Sequence, residues 1–256
     1  MGITIRGKSL NLTNIKRYVS MMGNETRQIS AFWMNFASRS ESKKKFLSLS
    51  TPEQHYHFAK DTFGLMQNVP EILGLVEYVS EKKPRFVCEI GTFEGGTNFL
   101  LSQSIPTVKQ MIGVDLFVQH TTQLRYYCRN DRKVNFLNGS SYAAETVQKV
   151  ENILNGEKLD FLFIDGDHRY EGVKSDFLAY KHLVKEGGII AFHDIAPDHK
   201  TRYGKDTGMW AGDVPVFWER LKQAYTHKEF VQNPDQDGLG IGALEYYKDR
   251  PLPDNL

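Results

Sequence analysis

The chain has 256 residues, 40% of them hydrophobic, and 32 Lys and Arg against 31 Asp and Glu leave a formal charge of +1. That length buries one full α/β core with some tens of residues to spare, and the balanced charge supplies no field toward nucleic acid, so no nucleic-acid partner is expected. The start, from Met1 to Lys8, lacks an apolar leader, and no later apolar run approaches the roughly 20 residues that cross a bilayer. A cytoplasmic protein without a membrane partner is therefore expected.

Residues 1–65 are polar and aromatic, with no strand-like alternation and with amphipathic helical patterns at 14–22 and 54–63. They read as an N-terminal helical extension, followed by an α/β domain at 66–256. The charged run at 38–45 reads as solvated surface and is given no role. From Pro70 the pattern changes. Apolar residues at helical spacing behind a proline suited to a first turn predict a helix over 70–79 that leads into the core.

Five short apolar runs follow, at 86–90, 111–114, 134–137, 161–164 and 189–192, separated by helix-length segments. This alternation predicts a parallel sheet. Each run ends in small or ionisable residues: Glu89 and Gly91, Asp115, Gly139 with Ser140 and Ser141, Asp165, and His193 with Asp194. In open α/β sheets ligands bind at the carboxyl ends of the strands, beside the switch in strand order, so one pocket can gather all five groups. A Gly- and charge-rich stretch at 196–213 is long enough for a lid, and 216–225 is helical. The tail segments 228–231 and 239–247 read as an antiparallel pair. The expected fold is a Rossmann-like, doubly wound α/β sheet, mostly parallel with an antiparallel C-terminal edge strand. Cys88 and Cys128, the only cysteines, indicate neither a disulfide framework nor a cysteine metal site.

The segment from Cys88 to Thr97 is a strand end running into glycines that open a helix, a turn that lets backbone N–H groups approach a ligand. A dinucleotide fingerprint needs glycine two residues after the first, where this chain has Phe93. That argues against a nicotinamide-linked oxidoreductase, and the lack of a Gly-Lys-Ser/Thr loop argues against ATP and GTP. The segment resembles class I S-adenosylmethionine-dependent methyltransferases, in which an acidic residue and a glycine-rich turn hold the methionine part of the cofactor. The resemblance assigns Glu89, Gly91, Thr92, Phe93, Gly95, Gly96 and Thr97, and further along the chain Asp165 and His168, to S-adenosylmethionine. It assigns Asp115 to the two ribose hydroxyls, and Ser140 and Ser141 to the adenine.

A second stretch, Phe161-Leu-Phe-Ile-Asp-Gly-Asp-His-Arg-Tyr-Glu171, and the later His193-Asp194 resemble a subgroup of these enzymes. That subgroup includes natural-product and cell-surface-sugar methyltransferases and cephalosporin hydroxylase-like proteins, and the resemblance spans 66–247. The chain is more distantly similar to catechol and caffeoyl-CoA O-methyltransferases. There the position of Asp165 and an Asp-Asn pair at the positions of His193 and Asp194 bind a divalent metal. The resemblance thus implies Asp165, His193 and Asp194 as ligands of Mg²⁺ or another divalent ion, an imidazole shifting the preference toward transition metals. Those relatives have a lysine base where this chain has His168. A neutral imidazole with a pKa near 6.5 can take a hydroxyl proton, or the same side chain can cap a helix or touch the cofactor; His193 can equally bond the lid. Asp167 is expected to help cap the next helix, with Glu171 and Asp176 on its solvated or cofactor-distant face.

The reaction implied is O-methylation of a hydroxyl on a small molecule or sugar, with Asp165, His168 and His193 in the chemistry. The alternatives are a metal-independent N- or C-methyltransferase and a scaffold that kept the fold without turnover. Arg202, Tyr203, Lys205, Met209 and Trp210 in the lid suit a polar ring substrate. The aromatic N-terminal region points to a homodimer.

Overall fold

The computed structural model describes residues 3–5, 8–10, 20, 22, 23, 26, 36–254 and 256. β1 (Ile3–Ile5) and β2 (Lys8–Leu10) form a short antiparallel ladder, unforeseen because three-residue strands carry no readable alternation. The helix expected at 14–22 falls largely outside the described residues. α1 (Phe36–Ser48) takes in the lysine run. Lys43 departs from the solvated reading, because its Nζ reaches the carbonyls of Tyr126 and Cys128. α2 (Pro52–Phe63) begins with a capping box: Gln54 N–H donates to Thr51 Oγ1, and the Gln54 side chain accepts the Thr51 N–H. α3 (Val69–Glu81) is the helix opened by Pro70.

β3 (Phe86–Ile90), β4 (Gln110–Asp115), β5 (Lys133–Asn138), β6 (Leu159–Ile164) and β7 (Val184–His193) are the five apolar runs of the sequence. They pair in parallel in the order β5-β4-β3-β6-β7. The inner strands are nearly unbroken in hydrophobicity because both faces are covered. The tail supplies β8 (His227–Phe230) and β9 (Ile241–Tyr246). β9 runs antiparallel to both β7 and β8 and lies between them, completing the order β5-β4-β3-β6-β7-β9-β8.

Alternation along the strands divides the core. Val87, Met111, Phe161, Phe163 and Ile189 face α1, α2, α3, α4 (Gly96–Ser104) and Leu124 of α5 (Thr121–Tyr126). Cys88, Ile112, Leu162, Ile190 and Phe192 face α6 (Ala144–Leu154), α7 (Tyr170–Tyr180) and, beyond the short α8 (His199–Tyr203), α9 (Val214–Leu221). On the first face Phe58 of α2 stacks on Phe99 of α4 at 5.3 Å, and Phe63 lies 5.2 Å from the same ring. Each such ring is worth about 1.5–3 kcal/mol of burial, which binds the N-terminal helices to the sheet layer. No described helix is long and apolar enough to cross a membrane.

Candidate active site

From β3 the chain winds outward through β4 and β5, then crosses back to lay β6 against the other side of β3. The loops leaving β3 and β6 diverge there, which opens a crevice at the switch in strand order. Gly91 keeps the crevice floor narrow. It has φ +88°, and a Cβ on it would stand 1.7 Å from the Asp165 carbonyl oxygen, so only glycine lets the two loops touch. The Asp165 N–H donates to the Ile90 carbonyl at 2.8 Å.

A cavity of about 610 Å³ sits over this point, and among the expected residues Gly91, Phe93, Asp115, Ser140, Ser141, Asp165 and His168 line it. Asp115 ends β4. Its Oδ2 accepts the Phe93 N–H and its Oδ1 the Phe117 N–H, both at 2.9 Å, the first made possible by φ +45° at Phe93. A carboxylate has about four lone-pair sites, so two acceptor positions remain for a ligand. Burial pushes the Asp115 carboxyl up from its ordinary value against the pull of those N–H groups.

Glu89, Thr92, Gly95, Gly96 and Thr97 lie behind the cavity wall instead of on it. Gly96 makes room for the Gly64 carbonyl, 1.8 Å from where its Cβ would be, and Gly95 for Leu124. Gly96 thus seats α4 against the α2–α3 turn, and Gly95 lets it meet α5. Burial pushes the Glu89 carboxyl up to about 8, with Asn98 and Thr92 beside it pulling the other way. It is therefore mostly a neutral carboxyl at neutral pH.

Asp176 corrects the sequence expectation: it is fully buried, accepts a hydrogen bond from Ser141 Oγ, and lies under the cavity floor beside Gly166. Burial pushes its carboxyl up to about 7. The signal was available, because Val173, Asp176, Phe177 and Tyr180 form a buried stripe at helical spacing. Asp167 does support the start of α7 by accepting the Arg169 N–H at 3.1 Å, and Asp213 accepts the Tyr170 N–H.

Asp165 and His168 on the cavity wall converge with His193 and Asp194, which are buried behind it and do not line it. Nε2 of His168 is 3.6 Å from Asp165 Oδ1 and 3.5 Å from Asp194 Oδ2. Nδ1 of His193, a residue 4% exposed, is 3.3 Å from each of the same two oxygens. Asp165, His168 and Asp194 meet the spacing of a metal-binding group, with His168 where the sequence pointed to His193; Nδ1 of His193 faces the same two carboxylate oxygens. Asp194 has φ +60°, and its Oδ1 accepts the Leu239 N–H at 3.0 Å. Such backbone strain in a non-glycine residue is held in place by its surroundings and concentrates at functional sites.

The two carboxylates have no Lys or Arg partner among the described residues; their ion pairs are with the histidines. Burial opposes a charged His168, but the hydrogen bond and charge of Asp165, then the charge of Asp194, outweigh it and hold its pKa at about 9. The two carboxylates thus favour the charged form of an imidazole expected to be neutral at pH 7. Burial likewise opposes charge on His193, and Asp165 and Asp194 raise it well above its ordinary value. Burial opposes ionisation of Asp165, and His193 and His168 hold it below the usual carboxylate range.

Of the lid residues, Trp210 alone lines the cavity. Arg202 instead reaches the Pro234 carbonyl and Tyr203 packs on His199, because Asp237 ties the stretch to the β8–β9 connection by accepting the His199 N–H, while Asp198 folds the stretch on itself by accepting the Ala211 N–H. The sequence reading missed Gln67, whose Nε2 donates to Asp165 Oδ2 at 2.8 Å, and Leu116, Tyr142 and Arg169 on the cavity wall. Gln67 precedes the first core strand in a turn without a motif, so no sequence signal marks it.

Residues 88–195 match a family model described as a methyltransferase domain. Over 123 residues the chain is 34% identical to the uncharacterized protein R132 of Acanthamoeba polyphaga mimivirus, covering 44% of this chain and 53% of that one. The chain thus spans about half the length of this curated relative. Its structure is similar to that of the O-methyltransferase from Bacillus cereus in complex with SAH, with a TM-score of 0.55 and 18% identity over 78% of this chain and 92% of that one. It is also similar to the MycE methyltransferase from the mycinamycin biosynthetic pathway in complex with Mg and SAH, with a TM-score of 0.51 and 15% identity over 79% and 56%. The chain has the class I methyltransferase fold.

Proposed function

We propose that this methyltransferase domain moves the methyl group of S-adenosylmethionine to a hydroxyl of a small molecule or sugar. The observation that carries the reading is one cavity whose wall includes both Asp115, with two acceptor positions to spare, and Asp165 with His168, two members of the carboxylate–imidazole cluster. Relatives of the same fold support it in kind: the Bacillus cereus protein is an O-methyltransferase in complex with SAH, and MycE is in complex with Mg and SAH.

In this reading Asp115 accepts both ribose hydroxyls, Ser140 and Ser141 face the adenine, and the turn at Gly91 receives the methionine end. The acceptor oxygen attacks the methyl carbon in line. The carbon–sulfur bond breaks, S-adenosylhomocysteine leaves as a neutral thioether, and the hydroxyl proton passes to Nε2 of His168. Alignment of the two reactants contributes about 7–11 kcal/mol in favourable systems, so the cavity walls supply most of what the reaction needs.

In this reading Asp165, Asp194 and His193, whose Nδ1 lies 3.3 Å from an oxygen of each carboxylate, would hold a divalent cation and leave His168 free to act as the base. Such a cation would lower the pKa of an acceptor hydroxyl that touches it and cancel the carboxylate charge that keeps a proton on His168. His168 is oriented for the base role. Its Nδ1 is 3.1 Å from the Trp210 carbonyl, which can only accept, so Nδ1 carries hydrogen and the lone pair of the neutral ring lies on Nε2.

The test is transfer of labelled methyl from S-adenosylmethionine to a panel of phenols, polyketide alcohols and sugars, after EDTA and after return of Mg²⁺ or Mn²⁺. Labelled products that require the ion support the reading. Methylation of amine or carbon acceptors alone, unaffected by EDTA, would replace it.

A further inference from the structure

The two oxygens of Asp165 have different partners. Oδ1 faces Nε2 of His168 at 3.6 Å and Nδ1 of His193 at 3.3 Å, whereas Oδ2 accepts the Nε2–H of Gln67 at 2.8 Å. Gln67 is 5% exposed and anchored twice more. Its Oε1 accepts the Thr97 hydroxyl at 2.6 Å, and its backbone carbonyl accepts the Tyr56 hydroxyl at 3.0 Å. A carboxylate only accepts, so the amide must turn its N–H to Asp165, which leaves its oxygen for Thr97.

The anchors come from different elements. Tyr56 lies on α2 and Thr97 in the first turn of α4, and the connection bearing Gln67 is pressed against α4 where Gly96 has no Cβ to exclude the Gly64 carbonyl. A chain of hydrogen bonds therefore runs from the N-terminal helices, outside the 88–195 methyltransferase match, to the carboxylate at the centre of the cluster.

We propose that Gln67 is a positioning residue for Asp165: by occupying Oδ2 it keeps Oδ1 turned to the histidines as the oxygen offered to a divalent cation, with Tyr56 fixing Gln67 from α2. The inference rests on the methyl-transfer reading of this cavity. Without the amide the carboxyl is free to rotate about its terminal bond, and the cluster must be ordered when the ion binds. Hydrogen bonds of this kind behind a metal ligand are typically worth about 10–100-fold in metal affinity. The role assigned to the N-terminal helices is thus to complete the ion site, in addition to covering the sheet.

The experiment uses the full chain and Mn²⁺ as the probe, titrated by electron paramagnetic resonance. S-adenosylhomocysteine affinity is measured in parallel by calorimetry, on wild type, Gln67→Met and Tyr56→Phe. Gln67→Met keeps the length of the side chain and removes both of its polar ends. The expected result is Mn²⁺ binding weakened about 10–100-fold in Gln67→Met, a smaller loss of the same sign in Tyr56→Phe, and unchanged S-adenosylhomocysteine affinity in both. Should Gln67→Met not fold, Tyr56→Phe, which leaves the Gln67 side chain in place, carries the comparison. Equal Mn²⁺ affinity in wild type and variants overturns the proposal, and so does a wild type that binds S-adenosylhomocysteine but no Mn²⁺. Failure of the wild type to bind S-adenosylhomocysteine counts against the methyl-transfer reading instead, and the Mn²⁺ comparison still decides the role of Gln67.

Discussion

The Trp210 ring lies stacked on the His168 ring, with centroids 5.2 Å apart and planes inclined by 28°, while the Trp210 carbonyl takes the His168 Nδ1–H at 3.1 Å. One residue of the lid thus fixes both the plane and the tautomer of the imidazole. Replacing His168 by Gln keeps a polar side chain that cannot take up a proton. His168→Gln is expected to bind S-adenosylhomocysteine as wild type does and to transfer methyl about 10²–10⁴-fold more slowly. Initial rates with a saturating acceptor check this, and a fall in cofactor affinity with an unchanged maximal rate would assign His168 to binding.

Gly91 and Asp165 meet too closely for any side chain. Gly91→Ala sets a Cβ against the Asp165 carbonyl oxygen in a backbone conformation that alanine resists, and is expected to cost about 2–4 kcal/mol. A lowered Tm together with loss of S-adenosylhomocysteine binding is the predicted outcome. Retention of both would mean that the loops separate at little cost.

His55, buried on α2 with Nδ1 3.1 Å from Ser104 Oγ, governs stability on the acid side. Burial, with help from the charges of Arg129 and Arg132, lowers its pKa from 6.5 to about 4. The unfolded chain therefore takes up the proton first. Stability from this group is complete above about pH 6.5 and is lost as pH falls toward about 4, by an amount on the order of 2–3 kcal/mol. His55→Gln should remove that part of the acid loss in denaturant titrations at pH 7 and pH 4.5, and an identical slope in wild type and variant would assign the loss to other groups.

Asp176 has the opposite sign. Its folded value of about 7 lies above the ordinary 3.8, so the folded chain holds a proton that the unfolded chain has released. Its contribution is complete below about pH 4 and is lost as pH rises through about 7. Asp176→Asn keeps an oxygen for Ser141 and stays neutral. The variant should gain in Tm relative to wild type between pH 5 and pH 8, and a gap that does not change with pH would show that the carboxyl is already ionised in the fold.

The sheet was legible because parallel strands covered on both faces read as unbroken apolar runs, and the chemistry at their ends marked Gly91, Asp115, Asp165 and His168 on the cavity wall. The roles of Gly95 and Gly96 were not, since a glycine required for helix packing and one required by a ligand look alike in sequence. Gln67 was hidden for a different reason. Its partner is 98 positions away, and its anchors are single hydroxyls on separate helices. The charge state of His168 was hidden too, because it is set by Asp165 and Asp194, which only the pairing of β6 with β7 brings together.

In the proposed function Asp115 offers its remaining acceptor positions to the ribose of S-adenosylmethionine. Calorimetric titration of S-adenosylhomocysteine into wild type, Asp115→Asn and Asp115→Ala tests it most directly. Two hydrogen bonds to a charged acceptor, each worth about 1.5–3 kcal/mol, predict binding weakened by about 10²-fold or more in Asp115→Ala, with Asp115→Asn between it and wild type. Equal affinity in all three folded proteins would mean that Asp115 does not hold the ribose, and no binding by folded wild type would mean that the cavity is not an S-adenosylmethionine site.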